Sequence, residues 1–232
     1  MSDGAAEDRP GASAESRRAQ AGREARWTAL KAALARPLPG AEAHRLAWPK
    51  PSRGVEEDLR QSYAPAAVLI ALCPGEPFLF PLIRRRLEMR HHPGQISLPG
   101  GESEAGEEPA SCALREAFEE IGLPADSVET LGLLTPITVP VSGYSIQPVV
   151  GWVRTPPRWR AQREEVDEIL FADPDRLLVE GPRGTVRLER GGMRIEAPAY
   201  VVRDRAGEEA NVWGATAIIL AEFLAVWGSE RA

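Results

Sequence analysis

Between Pro109 and Gly122 the sequence encodes a helix whose two sides make opposite demands. Proline suits the first turn, where its missing N–H has no partner to lose, and Gly122 followed by Pro124 marks a stop. At about 100° per residue, Ala113, Leu114, Ala117, Phe118 and Ile121 gather on one side and are expected to pack on a sheet. Glu116, Glu119 and Glu120 fall roughly opposite, at spacings of three and four that make them neighbours. Carboxylates so close repel one another, and a divalent cation turns that penalty into a hard-oxygen site of the kind Mg²⁺ prefers. Arg115, one turn before Glu119, is placed to orient it through paired hydrogen bonds.

The rest of the chain supplies the sheet. Ala66 to Leu72 is a continuous apolar run of strand length, followed by the turn Pro74-Gly75 and a second run from Phe78 to Ile83. Gln95 to Leu98 predicts a short strand before Pro99-Gly100-Gly101. Further strands are expected over 128–134, 146–153, 185–189 and 193–202, the last two joined across Gly191-Gly192. A largely apolar helix is expected over 214–227. Strands and helices without a repeat imply a mixed sheet with helices on its faces, an α/β fold. The acidic run Glu164-Glu165-Val166-Asp167-Glu168 reads as a charged loop or the start of a helix.

Residues 1–22 lack apolar periodicity and read as a disordered tail. Trp27, Leu30 and Leu34 predict a helix from Arg23 to Arg36, ended by Pro37, Pro39 and Gly40. This helix, at the start of the segment 23–62, either docks on the compact domain, 63–228, or on a partner subunit, which leaves a homodimer open, or stays loosely attached. The formal charge of −6 argues against a nucleic-acid partner. No run approaches the roughly 20 apolar residues that cross a bilayer, so no membrane partner is expected. Two distant cysteines, Cys73 and Cys112, suggest neither a disulfide framework nor zinc. The expectation is a soluble cytoplasmic protein.

Gly101, five residues, Glu107, seven residues, then Arg115-Glu116-Ala117-Phe118-Glu119-Glu120-Ile121-Gly122-Leu123 resembles the Nudix box at every fixed position. The resemblance implies an α/β/α sandwich in which the box forms a loop–helix–loop. It also implies Mg²⁺- or Mn²⁺-dependent attack of water on a diphosphate. By position, Glu116 and Glu120 would be metal ligands and Glu119 a third ligand or the base. The carbonyl near Gly101 would add an oxygen, at a glycine that lets the backbone come close to an ion. Glu165 is the other candidate base.

Before the box, Arg84-Arg85-Arg86 and Arg90-His91-His92 concentrate positive charge in an acidic chain. Arginine matches phosphate oxygens in pairs; Arg84 and Arg86 suit pairing with nearby acids equally well. Arg85, Arg90, His92, Gly94, Gln95 and Pro99-Gly100-Gly101 are similar to the signature of coenzyme A diphosphatases. Met89, Ile96 and Leu98 are mild departures from that signature; Arg86 stands where Ser or Thr is usual. This resemblance implies coenzyme A as substrate, with Arg85, Arg90, His92 and Gln95 contacting it, and 3′,5′-ADP and 4′-phosphopantetheine as products. ADP-ribose, NADH or a dinucleoside polyphosphate is the alternative substrate, and a non-catalytic nucleotide sensor the alternative class.

Overall fold

The computed structural model describes residues 14–50, 62–89, 92–140, 142–190 and 192–229. In chain order its elements are α1 (Ala14–Leu34), α2 (Ala41–His44), β1 (Ala64–Leu72), β2 (Phe80–Arg85), β3 (Ile96–Ser97), β4 (Gly100–Glu102) and α3 (Pro109–Ile121). There follow β5 (Val128–Leu133), β6 (Ile137–Val139), β7 (Tyr144–Val153), β8 (Val166–Ala172), α4 (Pro174–Glu180), β9 (Gly184–Arg190), β10 (Met193–Arg203), β11 (Glu209–Val212) and α5 (Ala215–Gly228).

The central sheet is mixed. β1 and β7 run parallel, while β4, β5 and β6 pair antiparallel in the order β4-β1-β7-β5, with β6 also on β7. Side chains of β1 alternate between its faces as the pleat requires. Ala67, Leu69 and Ala71 join Ala113, Ala117 and Ile121 of α3 in one apolar cluster. Ile70 and Leu72 join Leu30 and Leu34 of α1 and Phe223 and Trp227 of α5 in the other. Helices therefore cover both faces, an α/β/α sandwich. Two three-stranded sheets, β3-β2-β8 and β11-β10-β9, complete the chain.

Three departures from the sequence expectations have physical causes. The first helix begins at Ala14, nine residues before the expected start at Arg23, because Ala, Glu, Arg and Gln favour helix without forming an apolar stripe. It packs into this chain's own core, with Leu30 fully buried. The acidic run is a loop only at Glu164-Glu165, and from Val166 it is strand β8: Val166, Leu170 and Ala172 are buried against β2, and Glu168 is neutralised by Arg84. Helix α4 starts at Pro174 behind Asp173, whose carboxylate accepts from the Asp175 and Arg176 N–H groups as an N-cap. Residues 1–13 of the expected tail and 51–61 of the connector lie outside the described residues.

Candidate active site

Helix α3 buries the stripe Ala113, Ala117, Glu120 and Ile121, spaced i, i+4, i+7, i+8. Two expectations fail here. Phe118 does not face the sheet and is 56% exposed, whereas Glu120 is not on the outer side but 4% exposed. Small alanines along the stripe leave room for Glu120, and its Oε2 accepts a 2.9 Å hydrogen bond from the Gly100 N–H at the start of β4. Burial pushes this carboxyl up to about 8; Gly100 pulls it down, Glu116 raises it, Arg85 lowers it and Glu165 raises it again.

Glu116 stands at the edge of the same stripe. Gly101 allows its approach, because a Cβ there would come within 2.6 Å of the Glu116 carboxylate. Burial raises the Glu116 carboxyl, opposed by Arg115 and reinforced by Glu119 and Glu165. Arg115, expected to orient Glu119, directs its paired hydrogen bonds elsewhere: Nε and Nη2 donate to Glu107 at 2.9 and 3.0 Å, and Nη1 donates to Glu116 at 2.6 Å. Toward Glu119 it makes only a 3.6 Å ion pair. Glu107 sits in the loop that brings the chain from β4 to α3. The Gly122 cap adopts φ 70, the left-handed conformation that ends the helix beside the site.

Glu116, Glu119, Glu120, Gln162 and Glu165 line one cavity of about 350 Å³. The far wall is the segment before β8, which is fastened to the open carbonyls at the end of α3. Arg160 N–H donates to Ile121 O at 3.1 Å and Gln162 N–H to Glu120 O at 2.9 Å. The Gln162 side chain in turn accepts from the Glu164 and Glu165 N–H groups at 2.7 and 2.9 Å, turning Glu165 into the cavity wall. Gln162 has no signal in the sequence, since a loop residue acquires this position only through contacts with a helix 40 positions earlier. Glu107 was visible as part of the box spacing, yet its partner was not.

Strand β2 sorts the arginine run. Arg84 turns to Glu168 and Asp204, at 3.4 and 3.1 Å. Arg86 donates to Glu88 and to the Arg163 carbonyl, at 3.0 and 2.8 Å. Arg85 lies on the alternate face, close enough to Glu120 to lower its carboxyl, and its buried Nε has no acceptor among the described residues. Its backbone pairs with Gln95 and Gly94 across the hairpin. There His92 Nδ1 donates to Gln95 Oε1 at 2.9 Å, from a His92 backbone at φ 56. Neither His92 nor Gln95 lines the carboxylate cavity, and Arg90 lies outside the described residues.

The model of the NUDIX domain matches residues 63–185, just over half of the chain. The chain belongs to the Nudix family. Its Nudix relatives include the uncharacterized Nudix hydrolase NudL of Pectobacterium atrosepticum, 33% identical over 168 residues, 72% of this chain and 83% of the relative. The NudL of Salmonella paratyphi B is 32% identical over 169 residues, again 72% and 83% of the two chains. Among solved structures, similarity extends to a MutT protein from Methanosarcina mazei Go1, 14% identical, covering 72% and 95% of the two chains at a TM-score of 0.47.

As a Nudix hydrolase, the chain acts on a diphosphate-bearing, nucleotide-type small molecule, and enzymes of this family generally use divalent metal ions. The donor set fits such an ion in chemistry: carboxylate oxygens lining one cavity, with a buried Glu120 that a nearby cation would ionise. The set is not preassembled. Among the described residues no three His, Cys, Asp or Glu side chains are gathered into a group that could hold an ion. Arg115 holds one Glu116 oxygen and Gly100 one Glu120 oxygen. No helix among the described residues is long and apolar enough to cross a membrane.

Proposed function

We propose that this Nudix hydrolase cleaves the diphosphate of coenzyme A or its thioesters, giving 3′,5′-ADP and 4′-phosphopantetheine or its acyl form. The observation that carries the reading is the meeting of four glutamates with Arg85, a half-buried cation whose buried Nε has no acceptor among the described residues. Glu116 and Glu120 would hold Mg²⁺ or Mn²⁺, with Glu119 and the Gly101 carbonyl as further oxygens. Once bound, the cation neutralises charge on the phosphoryl oxygens and acidifies the attacking water.

The chain's own groups do the rest. Arg85 receives phosphoryl oxygens through a guanidinium suited to two parallel hydrogen bonds. His92 and Gln95 extend that contact along the hairpin. Glu119 on one wall or Glu165 on the other takes the proton from water, which requires an approach of about 3 Å or one relay. The water oxygen bonds to one phosphorus, the bond from that phosphorus to the bridging oxygen breaks, and two phosphate monoesters leave. Arg115 keeps Glu116 turned to the cavity. Residues 63–228 would form the catalytic unit, working in the cytoplasm.

A substrate panel with Mg²⁺ or Mn²⁺ tests the reading: coenzyme A, an acyl-coenzyme A, ADP-ribose, NADH and a dinucleoside polyphosphate. The expected result is preferential turnover of the coenzyme A compounds with release of 3′,5′-ADP. Preference for another member of the panel would move the substrate; no turnover of any would make the chain a nucleotide-binding module.

A further inference from the structure

Ten residues after β7, Arg154-Thr155-Pro156-Pro157-Arg158-Trp159-Arg160-Ala161-Gln162-Arg163, carry four arginines and no acid in a chain of net charge −6. Arg154 pairs with Glu129 at 3.6 Å. For the guanidinium groups of Arg158 and Arg160, no ion pair or hydrogen bond exists among the described residues, and both side chains are exposed. The arginine run before the box behaves in the opposite way: Arg84 and Arg86 are committed to Glu168, Asp204 and Glu88. Cations free to take an anion lie a few residues earlier in the segment whose Arg163 carbonyl accepts from Arg86.

Their placement is fixed from both sides of the backbone. The N–H groups of Arg160 and Gln162 both point to the end of α3, which is how alternate residues behave in an extended chain. In such a chain residues i and i+2 share a face. The Gln162 side chain lines the carboxylate cavity; Arg160, beside Gly122 at the end of α3, shares that side of the segment just outside the lining, roughly 7 Å away, and Arg158 as far again. The alternate residues Trp159 and Ala161 turn inward onto the α3 cluster, and Trp159 stacks edge-on against Phe171 at 5.5 Å. Pro156 and Pro157 restrict the approach to this segment.

We infer that Arg160, seconded by Arg158, is a specificity subsite for a phosphate monoester carried by the substrate beside its diphosphate. A phosphate monoester is close to a dianion at neutral pH and offers oxygens that a guanidinium binds in pairs. The inference rests on the coenzyme A reading, in which the 3′-phosphate sits on the ribose next to the scissile linkage. It gives that phosphate to the segment before β8 and not to Arg84 and Arg86, whose charges are already paired.

The test compares kcat/KM for coenzyme A and 3′-dephospho-coenzyme A in the full-length wild type, Arg160→Ala, Arg158→Ala/Arg160→Ala and the control Arg154→Ala. The ratio of the two values cancels any difference in folded fraction, since both substrates meet the same enzyme stock. The wild type favours coenzyme A, and the ratio falls at least about tenfold in Arg160→Ala, mainly through KM, as expected for loss of a hydrogen bond to a charged group. It falls further in the double variant and stays in Arg154→Ala. Affinity for 3′,5′-ADP against AMP, read by calorimetry, gives the same ratio without turnover. A wild type that binds both alike, or a ratio unmoved by Arg160→Ala, overturns the subsite. Failure to cleave coenzyme A, with the binding ratio intact and sensitive to Arg160→Ala, overturns the substrate reading instead.

Discussion

Glu107 and Arg115 are joined side chain to side chain by two hydrogen bonds, at 2.9 and 3.0 Å, and the remaining arm of Arg115 reaches Glu116 at 2.6 Å. The arginine thus transmits the position of the loop after β4 to a carboxylate of the cavity. Its hydrogen bonds, with one from the Glu104 backbone, hold the Glu107 carboxyl down at about 2. Glu107→Gln breaks this clamp and lets Arg115 close on Glu116 and Glu119. Partners that orient metal-site ligands typically contribute 10- to 100-fold, and a loss of about that size is expected in both Mn²⁺ affinity and kcat/KM. Unchanged values in a folded variant would make the clamp a matter of loop stability alone.

Glu120 gives the site a pH signature. With the carboxyl pushed up to about 8 in the metal-free chain, it carries a proton at pH 7, and a cation that uses its oxygens must expel it. Metal binding at pH 7 is expected to release close to one proton, fading as the pH passes 8. Calorimetry in two buffers of different ionisation enthalpy reads this directly, and Glu120→Gln should abolish it. The sign for stability is the reverse. A raised folded value means a contribution present below the unfolded carboxyl range and lost as pH climbs through 8. Metal-free Glu120→Gln should therefore gain stability over wild type most at alkaline pH.

The same residue explains what the sequence made legible and what it did not. The limits of α3, its proline start and its glycine cap follow from local chemistry, and so do the long strands of the central sheet. The burial of Glu120 follows from the same periodicity, since it lies seven residues from Ala113 and three from Ala117. Charge misleads there, because the donor that makes burial tolerable, the Gly100 N–H, comes from a separate strand. Phe118 misleads in the other direction. Gln162, Arg160 and the strand β8 owe their positions to long-range pairing with α3 and β2, which no local pattern records.

A second buried carboxylate ties the N-terminal segment to the fold. Glu222 of α5 is fully buried and accepts from Gly40 N–H, His44 Nε2, Thr135 N–H and Thr135 Oγ1, at 3.0, 3.0, 3.1 and 2.6 Å. Burial pushes its carboxyl up, but the His44, Thr135 and Gly40 hydrogen bonds outweigh that and hold it below its usual range. Its contribution is present above the unfolded carboxyl value and disappears as pH falls through the lower folded one. Glu222→Ala is expected to cost about 3–5 kcal/mol in urea denaturation at pH 7, as for removing one partner of a buried pair. That difference should shrink in acid.

Leu30 of α1 is fully buried in the cluster that also holds Leu131 and Phe223. Leu30→Ala is expected to lower stability by about 2–5 kcal/mol, the range for a buried leucine replaced by alanine. A chain beginning at Ser62 loses this contact together with the His44–Glu222 link, and its thermal midpoint should fall by more than that of Leu30→Ala. An unaltered midpoint would show that the first 61 residues are dispensable for the fold.

The most direct measurement is Mn²⁺ binding to the full-length protein at pH 7.5, followed by the paramagnetic resonance of free Mn²⁺ in wild type, Glu116→Gln and Glu120→Gln. Saturable binding in the wild type, weakened at least about tenfold in each variant while both remain folded, is what the four-glutamate cavity predicts. Equal binding in all three proteins, or none in the wild type, would contradict it.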